Sequence, residues 1–423
     1  MKKFTIVALA ICLAFAMAAP VMAVDADFSG AYRVRGAYIS SWDLDENTAS
    51  KDFMNMRFRL QTVFKASDIL SVTTRFDAFD NKVWGDADGA FGAAAGDNID
   101  FDRAYMTIKA PIGKFDIGRM AGGLWGTKFL NNEGEKDRIK FTKTIDALTL
   151  FLVYQKNTEA DDSTGISAAD QDSETYYFLS KYKMENTTAG LLLAFTNDKT
   201  TSTKTTKKYC AAPYFVSKFG PLAIQGELQY NFGATDYDTA GSEDLDYKEL
   251  AYNIEVNYKV GPVGLSAGYA FISGDQDTAD NEDSNYDDGV GNDWEKLFIL
   301  TTNEVSQLVK LGNYGNLSED GLDNGVQNKS GAKIIYGGAT FSPLDNLKLG
   351  VVLGSAKADE APANYEDDYG LEYDFTLNWK IYDNLTYTAI AAFLSAGDFY
   401  KEGVADATFD DTYALFHQLQ LSF

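Results

Sequence analysis

From Phe53 to Lys65 the chain reads FMNMRFRLQTVFK, and its side chains separate by parity. Met54, Met56, Phe58, Leu60, Thr62 and Phe64 fall on one side; Asn55, Arg57, Arg59, Gln61, Val63 and Lys65 fall on the other. A period of two belongs to an extended strand whose two faces meet different surroundings. The pattern recurs. Phe28, Tyr32, Val34 and Tyr38 alternate with Ser29, Arg33 and Arg35, and Leu250, Tyr252, Ile254 and Val256 alternate with Ala251, Asn253 and Glu255. Leu222–Phe232 and Leu371–Ile381 repeat it. Each segment reaches about 10 residues or more, which a tilted strand needs to cross a bilayer.

A soluble β-sandwich also alternates, so three further features decide what covers the apolar face. Aromatic residues concentrate towards the strand ends, where a membrane barrel carries its girdles. Short turns such as Ser67-Asp68, Asp146-Ala147 and Gly220-Pro221 alternate with long acidic loops, and strand-length units run from Phe28 to Phe423 without a helical domain between them. The apolar face therefore meets lipid. The strands are expected at 27–39, 53–66, 69–83, 99–110, 114–120, 138–145, 148–156, 175–185, 188–197, 209–219, 222–233, 248–260, 265–273, 331–341, 347–357, 371–381, 385–395 and 411–423. That predicts an all-β protein, a transmembrane antiparallel up-and-down barrel of 18 strands, or 16 if 114–120 and 138–145 are not strands. An even count puts both termini on the periplasmic side. Eighteen strands enclose a lumen too wide for side chains to fill, so water enters it, and the fold implies a pore.

The N-terminus reads differently. Lys2 and Lys3, an apolar run from Phe4 to Ala19 and the small residues around Ala23 form a secretory signal peptide over residues 1–23, leaving 24–423 as one barrel domain. Removing it leaves 400 residues with 35 basic against 62 acidic side chains, a net charge of −27. That sign disfavours a nucleic-acid partner. Cys210 is then the only cysteine, so no internal disulfide forms, and with His417 the only histidine no c-type haem site or Cys/His zinc cluster can be assembled. No cofactor or metal is expected.

The leader, the strand layout and the C-terminal YALFHQLQLSF resemble Gram-negative outer-membrane porins. RAYMTIKAPIGKFDIGRMAGGLWG (103–126) and AAFLSAGDFY (391–400) are similar to segments of larger substrate-selective and alginate-export-type barrels. The resemblance implies residence in the outer membrane among its lipid and lipopolysaccharide, with small hydrophilic solutes as cargo, and homotrimers are usual in that family. It also implies that the barrel-assembly machinery reads Tyr413, Leu419, Leu421 and Phe423, a pattern from which His417 departs.

All eight arginines lie in the first third: Arg33, Arg35, Arg57, Arg59, Arg75, Arg103, Arg119 and Arg138. By parity seven of them face the lumen with Lys140, while Arg119 shares the parity of Phe115 and Ile117 unless Gly118 sits in a bulge. An arginine facing lipid at mid-membrane costs roughly 2–4 kcal/mol, which holds strand two in this register. Stacked on neighbouring strands, these cations form a basic strip that would select anionic or carboxylate-bearing solutes; the plainer reading is that they solvate the wall and pair with acidic loops. In porins the loop corresponding to Ala121–Asp137 folds inward, and here it offers Trp125 and Lys128, with Glu133, Glu135 and Asp137 to oppose the strip. Ser273–Lys329 is a second candidate, with a short helix expected at Glu304–Leu311. Its acidic first part reads as a solvated loop or as a bridge through divalent ions to lipopolysaccharide. Gly264-Leu265-Ser266-Ala267-Gly268 matches G-x-S-x-G but lacks the strand-turn-helix setting of a nucleophile elbow, so no enzyme is expected. The leading expectation is a passive porin; the alternatives are a polysaccharide exporter and a sheath for an electron-transfer partner.

Overall fold

A computed structural model describes residues 25–41, 44, 49–85, 99–131, 134–160, 171–239, 242–277, 280–286, 294, 296–301, 329–401 and 410–423. The strands are β1 (Asp25–Ile39), β2 (Lys51–Lys65), β3 (Leu70–Val83), β4 (Ile99–Ala110), β5 (Gly113–Ala121), β6 (Glu135–Ile145) and β7 (Leu148–Thr158). They continue as β8 (Ser173–Lys183), β9 (Thr187–Asp198), β10 (Lys204–Phe219), β11 (Leu222–Tyr237), β12 (Leu245–Val260) and β13 (Val263–Ile272). After the two-residue β14 (Glu282–Asp283) come β15 (Ala332–Leu344), β16 (Leu347–Lys357), β17 (Asp368–Tyr382), β18 (Leu385–Ala396) and β19 (Thr412–Ser422). Apart from β14, which lies parallel to β12 within a loop, every strand pairs antiparallel with its neighbours, and β1 pairs with both β2 and β19. The result is a closed barrel of 18 strands. The two segments on which a count of 16 hinged are both strands, β5 and β6.

Closure has a physical cause. Hydrocarbon offers no hydrogen-bond partner to a backbone group, so a strand that crosses it must be paired on both edges. At the seam, Phe423 and Gly30 exchange backbone bonds of 2.8 and 3.0 Å, and the Phe423 ring stacks on Phe58 at a centroid distance of 6.3 Å. Gly30 must be glycine here: a Cβ would strike the Arg59 carbonyl and come within 2.8 Å of the Phe423 ring.

Burial along the strands inverts that of a soluble protein. On β17, Leu371, Tyr373 and Phe375 are 44%, 40% and 53% exposed, whereas Glu372 and Asp374 between them are buried. The exposed apolar set faces outward and the buried polar set faces the lumen. His417 lies on the outward parity, above Gly36 and beside Tyr387. Ser266 sits mid-strand on β13, paired across to Asn257 and Gly338.

The buried apolar cluster lies inside the barrel. Trp294 and Leu297–Leu300 pack on inward residues of β12, β13 and β15–β19, including Ile272, Tyr336 and Phe416. Replacing Gly30 by leucine is expected to destabilise the seam by about 1–3 kcal/mol. The heat at which the folded barrel loses its fast mobility on an unboiled gel should fall; an unchanged transition would show that Gly30 does not set the closure.

Candidate functional site in the barrel lumen

Two chain segments enter the lumen, and acidic side chains on the wall hold both. The first, described over 122–131 and at Gly134, lies between β5 and β6. Its Thr127 donates from N and Oγ1 to Glu227 on β11, at 2.6 and 2.7 Å. Gly126 has φ +59°, and a Cβ there would collide with the same carboxylate, so only glycine lets the loop approach so closely. Trp125 lies over Gly190, meets Tyr214 edge-on at 4.9 Å and donates to the Ala212 carbonyl at 3.0 Å. Asn131 ties the turn by accepting from Trp125 N at 2.8 Å.

The second segment, Trp294 and residues 296–301, is gripped by β17. Glu372 accepts from the amides of Ile299 and Leu300 at 2.5 and 2.8 Å, and Asp374 accepts from that of Phe298 at 2.9 Å. Lys296 pairs with Glu255 at 2.6 Å, and Glu255 also accepts from Tyr336 at 2.7 Å. The two segments touch each other: Phe129 and Trp294 pack edge to face at 5.0 Å. Residues 302–328, which include the helix expected at Glu304–Leu311, lie outside the described residues, as does Glu133.

The arginines gather on the inward faces of β1–β4, and carboxylates come with them. Arg59 binds Asp77 through two hydrogen bonds of 2.6 and 2.5 Å. Arg75 bonds to Asp102 at 2.8 Å and also to Glu135, which Arg103 reaches at 3.3 Å. Arg57 is held more loosely, 3.5 Å from Asp80 and 3.8 Å from Asp77. Arg33 and Arg35 both donate to Asn81 Oδ1 at 2.7 Å, and Arg35 also donates to Asn55 at 2.9 Å. Arg33 stands directly across the ladder from Arg57, and its buried Nε has no partner among the described residues.

Asp77, Asp80, Asn81 and Asp102 were not singled out in the sequence, because two bulges bring some of them in. Between Met56↔Lys82 and Phe58↔Ala78 one residue of β2 faces three of β3, and Asn81 there has φ +54°. Between Arg75↔Arg103 and Phe76↔Phe101 Asp102 is inserted on β4, so Asp102 and Arg103 both reach the lumen. The adjacent polar pairs Asp80-Asn81 and Asp102-Arg103, which break the alternation, were the available signal.

Two expected placements are corrected. Glu135 and Asp137 belong to β6, which starts at Glu135 rather than at 138. Asp137 lies on the parity of exposed Ile139 and pairs outward with Arg119 at 3.1 Å, both side chains about half exposed. Arg119 is therefore not on the lumenal strip; Gly118, with φ +124°, does not turn it inward. Glu227, Glu255, Glu372 and Asp374, all on the lumenal wall, serve as anchors of the two inward segments. Arg138 faces inward on β6, donating to Gln155 at 2.7 Å and to the Gly122 carbonyl, with Lys140 two residues along. Lys128 lies in the first loop with φ +75°. Tyr413, Leu419, Leu421 and Phe423 line the outer surface of the last strand, 38–53% exposed. In the acidic loop, Asp275 accepts from Ser284 N at 2.9 Å and Asp283 pairs with Lys329 at 2.7 Å.

A closed barrel, apolar outside and charged within, crossed by two loops anchored to its wall, has the architecture of an outer-membrane channel. The chain belongs to the Gram-negative porin family, whose model matches residues 7–390. Its fold is similar to OccAB1 of Acinetobacter baumannii (TM-score 0.57, 13% identity, covering 94% of this chain and 96% of that one). It is also similar to a BenF-like porin from Pseudomonas fluorescens Pf-5 (0.56, 13%, 94% and 99%). OccK8 (OprE) of Pseudomonas aeruginosa gives 0.54 at 15% identity, covering 94% and 98%. No curated protein sequence matches.

Glu227→Ala removes the acceptor of two bonds to Thr127, each worth about 1.5–3 kcal/mol when one partner is charged. The first loop should detach, raising single-channel conductance or its open-state noise. Glu372→Ala should release the second segment and make it cleavable by protease while the barrel survives. Conductance and cleavage equal to wild type would mean that these carboxylates do not hold the loops.

Proposed function

We propose that the protein lets small hydrophilic solutes diffuse across the outer membrane and favours anionic, carboxylate-bearing ones. One observation carries the preference. On β1–β4 six inward guanidiniums, those of Arg33, Arg35, Arg57, Arg59, Arg75 and Arg103, face four carboxylates, those of Asp77, Asp80, Asp102 and Glu135. Among the described residues this is an excess of two positive charges, concentrated where Arg33 and Arg57 sit side by side, Arg57 held there by two longer ion pairs. An anion passing there gains attraction without having to break a short bidentate pair, and charged walls of this kind bias which ions a pore admits. The paired carboxylates keep the strip from trapping its cargo, since passage needs binding weak enough to release.

The remaining parts fit this reading. The first 23 residues would direct export and be removed, and the outward apolar row ending at Phe423 would be read during barrel assembly. In planar bilayers under a salt gradient, Arg33→Gln combined with Arg57→Gln should move the reversal potential towards cation preference. Arg59→Gln alone, which removes one charge and leaves Asp77 with Arg57 as its remaining cation, should move it the same way by a smaller amount. A reversal potential that is the same in all three channels would remove the anion preference.

A further inference from the structure

At the end of the barrel that carries the short turns, the inward wall of β10–β16 encloses a hollow of about 370 Å³, open to the lumen. β1 starts and β19 finishes at this same end, which bacterial barrels turn to the periplasm. The size falls in the roughly 300–1,000 Å³ range of small-molecule sites. Lys218, Lys259 and Lys348 reach the hollow from β10, β12 and β16, each beside a turn and each exposed. Ser266, Thr340 and Ser342 add hydroxyls. The floor between them is low, because Ala223 pairs with Lys218 and Gly264 pairs with Lys259. A Cβ on Gly264 would stand 2.7 Å from Thr340 Oγ1, so glycine keeps the hollow open there.

These lysines have no acid to answer them. Among the described residues no carboxylate lines the hollow, and none of the three ammoniums makes an ion pair. Glu255, two positions from Asn257 on the same face of β12, is already held by Lys296 at 2.6 Å, Tyr336 at 2.7 Å and Asn257 at 2.8 Å. Asp345 lies in the exposed turn before β16 and is bound to none of the three. The hydroxyls of Ser266, Thr340 and Ser342 likewise have no side-chain partner among the described residues. The arginine strip is different: its guanidiniums are matched with carboxylates, and β5–β9 lie between it and the hollow. The type of cation differs as well. A guanidinium is a planar fork suited to a carboxylate, whereas an ammonium is a compact charge with three rotatable donors. Several such donors can surround a tetrahedral oxyanion from different sides, and the hydroxyls supply further donors without added charge.

We propose that this hollow is a binding site for a phosphate group, carried by inorganic phosphate or by a small phosphate ester. Lys218, Lys259 and Lys348 surround the phosphoryl oxygens, and Ser266, Thr340 and Ser342 donate to them. Its role as a last station before the periplasm rests on the channel reading; binding itself rests on the hollow.

The test titrates the full mature chain, folded in detergent, by calorimetry at about pH 8, above the second phosphate pKa of about 6. The probes are inorganic phosphate, glycerol 3-phosphate and succinate, which carries two charges on carboxylates. The same solutes are added to single channels in a bilayer. Inorganic phosphate should bind saturably and at least about tenfold more tightly than succinate. Glycerol 3-phosphate should do the same; binding of only one of the two keeps the site and identifies the source it fits. Lys259→Gln and Lys348→Gln should each weaken phosphate about tenfold, the scale of one charge-assisted contact. Lys181→Gln removes an inward lysine of β8 outside the hollow and should leave phosphate affinity within about twofold, since charges beyond a Debye length are screened. Folding of each variant is checked by mobility on an unboiled gel. Succinate bound as tightly as phosphate, undiminished binding in both hollow variants, or an equal loss in Lys181→Gln overturns the site. A barrel that binds phosphate selectively but carries no current keeps the site and removes the channel reading; one that conducts and binds no phosphate does the reverse.

Discussion

The backbone amides and carbonyls that cross hydrocarbon must find partners within the protein, and from that the rest of this structure follows. Pairing on both edges of every strand forces the sheet to close, so β1 meets β19 and no edge is left to recruit another chain. Closure then assigns each residue to one of two solvents. The same strand must satisfy oil at one position and water at the next, which is why Tyr373 and Glu372 can be neighbours in sequence and see nothing in common.

Within the ring, identical chemical groups do different jobs according to what is brought near them. Asp77 and Asp102 neutralise guanidiniums, whereas Glu227, Glu372 and Asp374 accept backbone amides of segments that fold in from outside. A buried carboxylate without donors is costly, and each of these has found them. In return the loops gain a fixed path across the lumen, and the Phe129–Trp294 contact couples one to the other. The wall is thus divided by sector: charged and compensated on β1–β4, and loop-covered on β12–β19.

Departures from regular alternation are where the lumen acquires its character. The bulges on β3 and β4 direct Asn81 and Asp102 towards the arginines, and the extra twist they bring lets several long side chains converge. Without them Arg59 would still meet Asp77 in the regular ladder, but Arg33 and Arg35 would lose Asn81, and Arg75 would lose Asp102. With them it keeps a modest positive excess around Arg33 and Arg57.

How far the chain alone could be read follows the range of the forces involved. Side-chain parity is a local property, so the strands, their number, the lipid-facing rows and the inward set of Arg33, Arg57 and Arg59 were legible residue by residue. Glu135 and Asp137 were assigned to the loop because a strand boundary depends on the pairing of neighbours, which parity does not report. Glu135 nonetheless meets Arg75 and Arg103, and Arg119 lies outward, on the side its parity gave it. That Glu227 would meet Thr127, a hundred residues away, or that Glu372 would hold Leu300, lies beyond any local pattern. Those contacts exist only once the ring has closed and brought opposite walls within reach of one loop. Sequence by itself determined which solvent each strand face would meet, because that is decided by the side chain and its neighbours two residues away. Tertiary structure decided which charges were neutralised and what the inward loops seized, because those depend on distances across the lumen.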